Sequence, residues 1–119
     1  KDHNESLLIL STGRAAAFFE DNVLLAGVRA NARDPKAFRF LPDSYPGYYY
    51  YGLMFQRDDP AFKALVDGAL GEKMASGDFA RVYDRWFTQP IPPRGQNMDL
   101  PMSAALKARV AAPSDALTP

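Results

Sequence analysis

An α/β fold is what this sequence predicts, and three observations carry that reading. Two runs have the apolar, β-favouring composition of buried strands, Ala15 to Phe19 and Tyr48 to Phe55. Each is followed within a few residues by an aspartate placed to cap a helix, Asp21 and Asp59. Behind those caps, apolar residues recur at spacings of three and four, the period of a helix with one buried face.

Taken in order, Asp2 or Asn4 can cap a short helix through Ser6 to Ser11, and Thr12-Gly13 ends it because glycine accepts the left-handed conformation. Its run Leu7 to Leu10 is apolar all round, which suits either a helix or a buried strand; the helix is the reading adopted. Ala15 to Phe19 has no polar residue on either face, as an inner parallel strand requires. Asp21 then caps a helix to about Ala32, with Val23, Leu24, Gly27 and Val28 near one face, and Asp34-Pro35 closes it. Phe38 to Leu41 reads as a second strand, and Pro42 to Gly47 is a dense turn signal marking a composition boundary.

Tyr48 to Phe55 is the clearest strand by composition. Asp59-Pro60 opens a helix with a carboxylate cap and proline at the first helical position. Phe62, Leu65, Val66, Ala69, Leu70 and Met74 form its stripe, while Gly68 and Gly71 weaken it by roughly 1 kcal/mol each against alanine. Gly77-Asp78 breaks and recaps the chain for a second striped helix with Phe79, Val82, Tyr83, Trp86 and Phe87, stopped by Pro90. From Pro90 the chain is proline-rich and extended, apart from a small helix at Ser103 to about Val110, and Ala112 to Pro119 is expected to fray.

The totals narrow the function classes. At 119 residues and 47% apolar content the chain has the length and composition of one folded soluble domain. Fourteen basic residues balance fourteen acidic ones, with no dense basic run, so nothing draws nucleic acid. The absence of cysteine removes disulfides, thiolate catalysis and cysteine zinc sites. His3 is the only histidine, so no multi-histidine metal cluster or relay exists. There is no Gly-x-Ser-x-Gly, phosphate-cradling glycine loop or Gly-x-Gly-x-x-Gly, so neither a nucleophile-base set nor a cofactor site is visible.

Three residues are candidates, each with an ordinary alternative. Asp21 stands at a strand-to-helix junction, where α/β proteins gather ligands, yet a plain helix cap explains it equally. His3 is either a site residue or an exposed bystander near a terminus. Arg14, after glycine, can bind an anion or lie on the surface. Tyr48 to Tyr51 offers a stacking platform of at most two rings on one face, against structural packing.

Several stretches together resemble one family: Lys1-Asp2-His3-Asn4-Glu5-Ser6, Ser11-Thr12-Gly13-Arg14-Ala15-Ala16-Ala17-Phe18, Asp21-Asn22-Val23-Leu24-Leu25-Ala26-Gly27, and Trp86-Phe87-Thr88-Gln89-Pro90-Ile91-Pro92-Pro93. In that order they resemble the C-terminal part of the glutamate/aspartate-binding periplasmic proteins, the solute receptors of polar amino-acid ABC importers. The resemblance implies a type II periplasmic-binding-protein-like α/β fold of two lobes that close on an amino acid and deliver it to a membrane permease. It implies a partial second lobe at 1–44, a hinge segment at 45–52, helices returning to the first lobe at 53–95, and a tail with a short helix at 96–119.

By position, the resemblance assigns Asp21 to the ligand's α-ammonium and His3 to a carboxylate of an acidic ligand, glutamate or aspartate. Tyr49 stands where relatives commonly carry a glutamate shortly before Tyr-Gly. Relatives also carry a first lobe, with carboxylate-clamping residues, ahead of the stretch where this sequence starts. A fragment of this kind would leave the stripes between Pro60 and Phe87 uncovered, and self-association or element exchange between copies is expected. The rival readings are an enzyme of dehydratase or lytic type on the same fold, and a structural or interaction module that binds nothing.

Overall fold

The computed structural model describes residues 2–41 and 50–116. The turn signal at 42–47, Tyr48, Tyr49 and the 45–49 part of the expected hinge lie outside the described residues. The chain divides into two compact units, one of Lys1–Phe40 with Arg85–Pro101 and one of Leu41–Asp84 with Met102–Pro119.

In the first unit, α1 is His3–Ser11 and its cap is Asp2, whose Oδ1 accepts from the backbone N–H of Asn4 and of Glu5, each at 3.0 Å. Gly13 ends it at φ +72, where the Gly13 and Arg14 amides reach back to Leu10 and Ile9. The next helix, α2, is Asn22–Ala30, and its Ala26 is the one fully buried apolar residue among those described. Two features hold chain from far along the sequence against α2. Arg29 donates to the carbonyl of Met98 at 3.0 Å while its guanidinium lies 4.5 Å from the Phe40 ring centre. Gln96 donates to Asn31 Oδ1 at 2.9 Å. Asp34 caps a single 3₁₀ turn, Pro35–Ala37. Residues 96–101, part of the expected extended tail, are thereby fastened beside α2, and Leu100 N–H donates to the Phe87 carbonyl at 2.9 Å.

In the second unit, α3 is Pro60–Ala75, capped by Asp59 with Pro60 at its first position. After Ser76 and Gly77, at φ +81, α4 runs over Asp78–Phe87, its last three residues belonging to the first unit. α5 is Ala104–Ala111, capped by Ser103. α3 and α5 are joined through Lys63, whose amine bonds both Asp67 on its own helix and Asp115 just beyond α5, the latter at 2.8 Å. Arg109 of α5 stacks over the Tyr50 ring at 4.7 Å, and burial pushes the Tyr83 phenol up.

The β half of the α/β expectation does not form within the described residues. Ala15 to Phe19, Phe38 to Leu41 and Tyr50 to Phe55 carry no strand ladder, and the one bridge is an isolated antiparallel contact of Ile91 with Gln96. The reason is physical. A helix satisfies its backbone groups within itself, whereas a strand needs a second strand beside it. These three segments have the side chains of strands and no neighbour to pair with. Several of their apolar residues stay uncovered: Phe19 is 76% exposed and Met54 99%.

Candidate functional site

Asp21 is held by the backbone it caps. Its Oδ1 accepts from the Val23 N–H at 2.8 Å and from the Leu24 N–H at 3.4 Å. Its Oδ2 accepts no hydrogen bond from any described residue, so one carboxylate oxygen is committed to the helix start and the other is available to a ligand. The first-turn amides of α2 thereby orient the carboxylate at the helix start.

His3 stands at the first position of α1 and reaches the same stretch of chain. Its ring stacks on Phe18, with centroids 6.3 Å apart and planes 28° from parallel. Its Nδ1 lies 3.6 Å from Oε2 of Glu20. Glu20 in turn accepts from the Asp21 N–H through Oε1 at 2.9 Å. The two residues named from sequence are therefore connected through a third, Glu20, which the sequence pattern did not single out. The signal that could have found it is its position: a carboxylate next to the cap, one residue beyond an unbroken apolar stretch.

Arg14 is exposed on the chain after α1, its own amide bonded to the Ile9 carbonyl. Tyr50 is engaged by Arg109, so at least one of the four tyrosines serves packing. Two acids outside this stretch serve as a cap and an ion-pair partner: Asp59 accepts from Phe62 N–H at 2.9 Å, and Asp78 pairs with Lys73 and Arg81. The hydrogen bond from Lys73 holds the Asp78 carboxyl below the usual carboxylate value.

An open groove of about 760 Å³ is lined by Leu53 to Pro60 and Lys63. Size alone does not make it the functional site. Asp59 spends a carboxylate oxygen on its cap, the Lys63 amine is taken by two aspartates, and the groove holds neither of the residues that the resemblance assigns to a ligand. Among the described residues no group of three His, Cys, Asp or Glu could hold a metal ion, and no helix is long and apolar enough to cross a membrane.

Comparison with known proteins gives the arrangement its context. No family model matches the chain. Over 115 residues it is 44% identical to the L-glutamate/L-aspartate-binding protein of Pseudomonas aeruginosa. The chain is a homologue of part of such solute-binding proteins. It is also 40% identical, over 117 residues, to the glutamate/aspartate import solute-binding proteins of Salmonella typhimurium and Escherichia coli. Each match takes in 97% of this chain but 38% of the relative, so the chain spans well under half the length of the curated relatives it matches. These relatives are named for binding and import, not for catalysis.

Proposed function

We propose that this chain supplies one wall of an acidic-amino-acid site in the solute-binding component of a periplasmic ABC importer. The observation that carries the reading is identity of 40–44% over 97% of the chain with relatives named for glutamate and aspartate. In this reading Asp21 pairs through Oδ2 with the ligand's α-ammonium, and His3 holds a ligand carboxylate. The chain corresponds to the C-terminal part of a two-lobed, type II periplasmic-binding-protein-like fold. Residues 1–44 contribute to the second lobe, 45–52 to the hinge, 53–95 to helices returning to the first lobe, and 96–119 to the tail.

The same reading accounts for the unpaired strand-like segments. Their ladder partners, and the surfaces that cover Leu65 and Met54, belong to the remainder of a full-length receptor. Function is then binding and lobe closure, followed by delivery to a membrane permease, with no chemical step. Calorimetric titration of the full-length protein with glutamate and with aspartate tests it: heat is expected with one or both. No heat with either, while another amino acid binds, overturns the ligand assignment. The 119-residue chain alone binds weakly or not at all and self-associates through its uncovered stripes. A stable, cooperatively unfolding monomer at micromolar concentration in sedimentation would sink that last expectation.

A further inference from the structure

The single histidine of this sequence has an acidic neighbour that the ligand assignment leaves unexplained. Glu20 is anchored at one oxygen by the Asp21 N–H, 2.9 Å away, and turns the other toward His3 Nδ1 at 3.6 Å. The imidazole rests on Phe18, which limits its rotation on that side. The pair is only partly exposed, 46% for His3 and 34% for Glu20. In the sequence His3 is flanked by the basic Lys1 and the acidic Asp2 and Glu5, and Glu20 and Asp21 add two carboxylates on the approach to α2. The N-terminal end of α1 opposes charge on the ring, since its amides, though capped by Asp2, carry a positive partial charge. Glu20 is the group whose carboxylate counters it directly.

A carboxylate facing one ring nitrogen decides what the other offers. With Nδ1–H directed at Glu20, Nε2 is the nitrogen left for a ligand. The protonated ring donates from Nε2 to a ligand carboxylate. The neutral ring, keeping its proton on Nδ1, presents an Nε2 lone pair, which repels that carboxylate. We infer that Glu20 is a positioning residue that makes His3 a proton-gated holder of carboxylates, closed on an acidic ligand when protonated and releasing it when neutral. The inference rests on the ligand role proposed for His3. Without Glu20, a neutral ring can keep its proton on Nε2 and continue to donate, so the gate disappears while the histidine remains.

The tautomer can be read without any ligand. In ¹⁵N NMR of this chain the one histidine gives one pair of ring resonances. The neutral ring is expected to be protonated at Nδ1 in the parent, at Nε2 in Glu20→Leu, and at Nδ1 again in Glu20→Gln, which keeps an acceptor without the charge. An Nε2–H ring in the parent, or unchanged ring shifts in a Glu20→Leu chain whose amide spectrum is native, overturns the inference. In the full-length protein, glutamate affinity measured from about pH 5 to 8 is expected to fall roughly tenfold, and less than about twofold in Glu20→Leu. A parent affinity that is flat across that range overturns the gate. An Nδ1–H ring in a protein that binds no glutamate at any pH supports the pairing and overturns the ligand reading instead.

Discussion

Helices α2 and α3 begin in the same way and come to different ends. Each starts behind an aspartate whose Oδ1 accepts from the first-turn amides. Yet α2, with nine residues, buries Ala26 completely, while α3, with sixteen, buries nothing and leaves Leu65 67% exposed. The difference is what the rest of the chain brings to each. Residues 96–101 come back to α2 through the Arg29 and Gln96 hydrogen bonds, and the Met98 methyl lies 3.5 Å from where a Cβ on Gly27 would stand. α3 receives the Phe55 ring, 5.3 Å from that of Phe62, and the ion pair of Lys63 with Asp115 near α5, and neither buries a residue of it. Capping and period therefore make a helix, but only chain from elsewhere buries it.

The largest effect expected from testing this contrast is at the α2 cap, where the helix cap and the proposed ligand role fall on one residue. In the full-length protein, Asp21→Ala should cost several kcal/mol of acidic-amino-acid affinity, because a desolvated ammonium is left unpaired. It should also remove about 1 kcal/mol of helix stability. Asp21→Ser separates the two roles: serine caps well, so melting should stay near the parent while calorimetry shows the same affinity loss. Affinity within about twofold of the parent in both variants would reduce Asp21 to a cap.

A smaller effect is expected at the packed position of α2. Ala26→Phe should destabilise this chain by about 1–3 kcal/mol in urea unfolding, since a buried alanine has no room to grow. Leu65→Ala on α3 should change it by less than about 0.5 kcal/mol, as for surface substitutions generally. Equal costs at the two sites would contradict the contrast.

Glycines give the next step down. A Cβ at Gly68 or Gly71 of α3 meets no atom within 4 Å. Gly68→Ala should therefore stabilise by roughly 1 kcal/mol. Gly27→Ala, where the added carbon would meet the Met98 methyl at an ordinary contact distance of 3.5 Å, should gain at least as much, and thermal melts of the two variants check both.

The smallest effect concerns the α3 to α5 link. The hydrogen bond from Lys63 holds the Asp115 carboxyl below its ordinary value of 3.8. The hydrogen bond to Asp115, with a second to Asp67, holds the Lys63 ammonium above its ordinary value of 10.5. For a depressed acid, the contribution to stability is present above the ordinary value and lost as pH falls through the folded one. For a raised base, it is present below the ordinary value and lost as pH rises through the folded one. The link should thus persist between the two ordinary values and fail in acid below and alkali above. All three side chains are well exposed, so Asp115→Asn should lower the melting temperature only slightly at neutral pH, and not at all in about 1 M salt.

How legible all this was differs by element. The caps at Asp21 and Asp59, the small helix begun at Ser103 and the stop at Gly13 were readable because each depends on residues two to five apart. The strand-like runs were readable only as composition, since pairing depends on partners that composition does not contain. The candidate site was half legible. Asp21 and His3 came from a resemblance over ordered motifs, while Glu20 emerged when the fold set its carboxylate against the ring of a residue seventeen positions earlier.

By itself, then, the sequence determined the helices and their ends, because a helix closes its hydrogen bonds over three or four residues and its caps over two or three. It also determined the kinship with acidic-amino-acid receptors. Tertiary structure alone decided that α2 is covered by residues 96–101, and that His3 meets Asp21 through Glu20. It also left three strand-like segments of the described chain without a ladder. Those outcomes depend on contacts between distant parts of the chain, and no local pattern of residues encodes them.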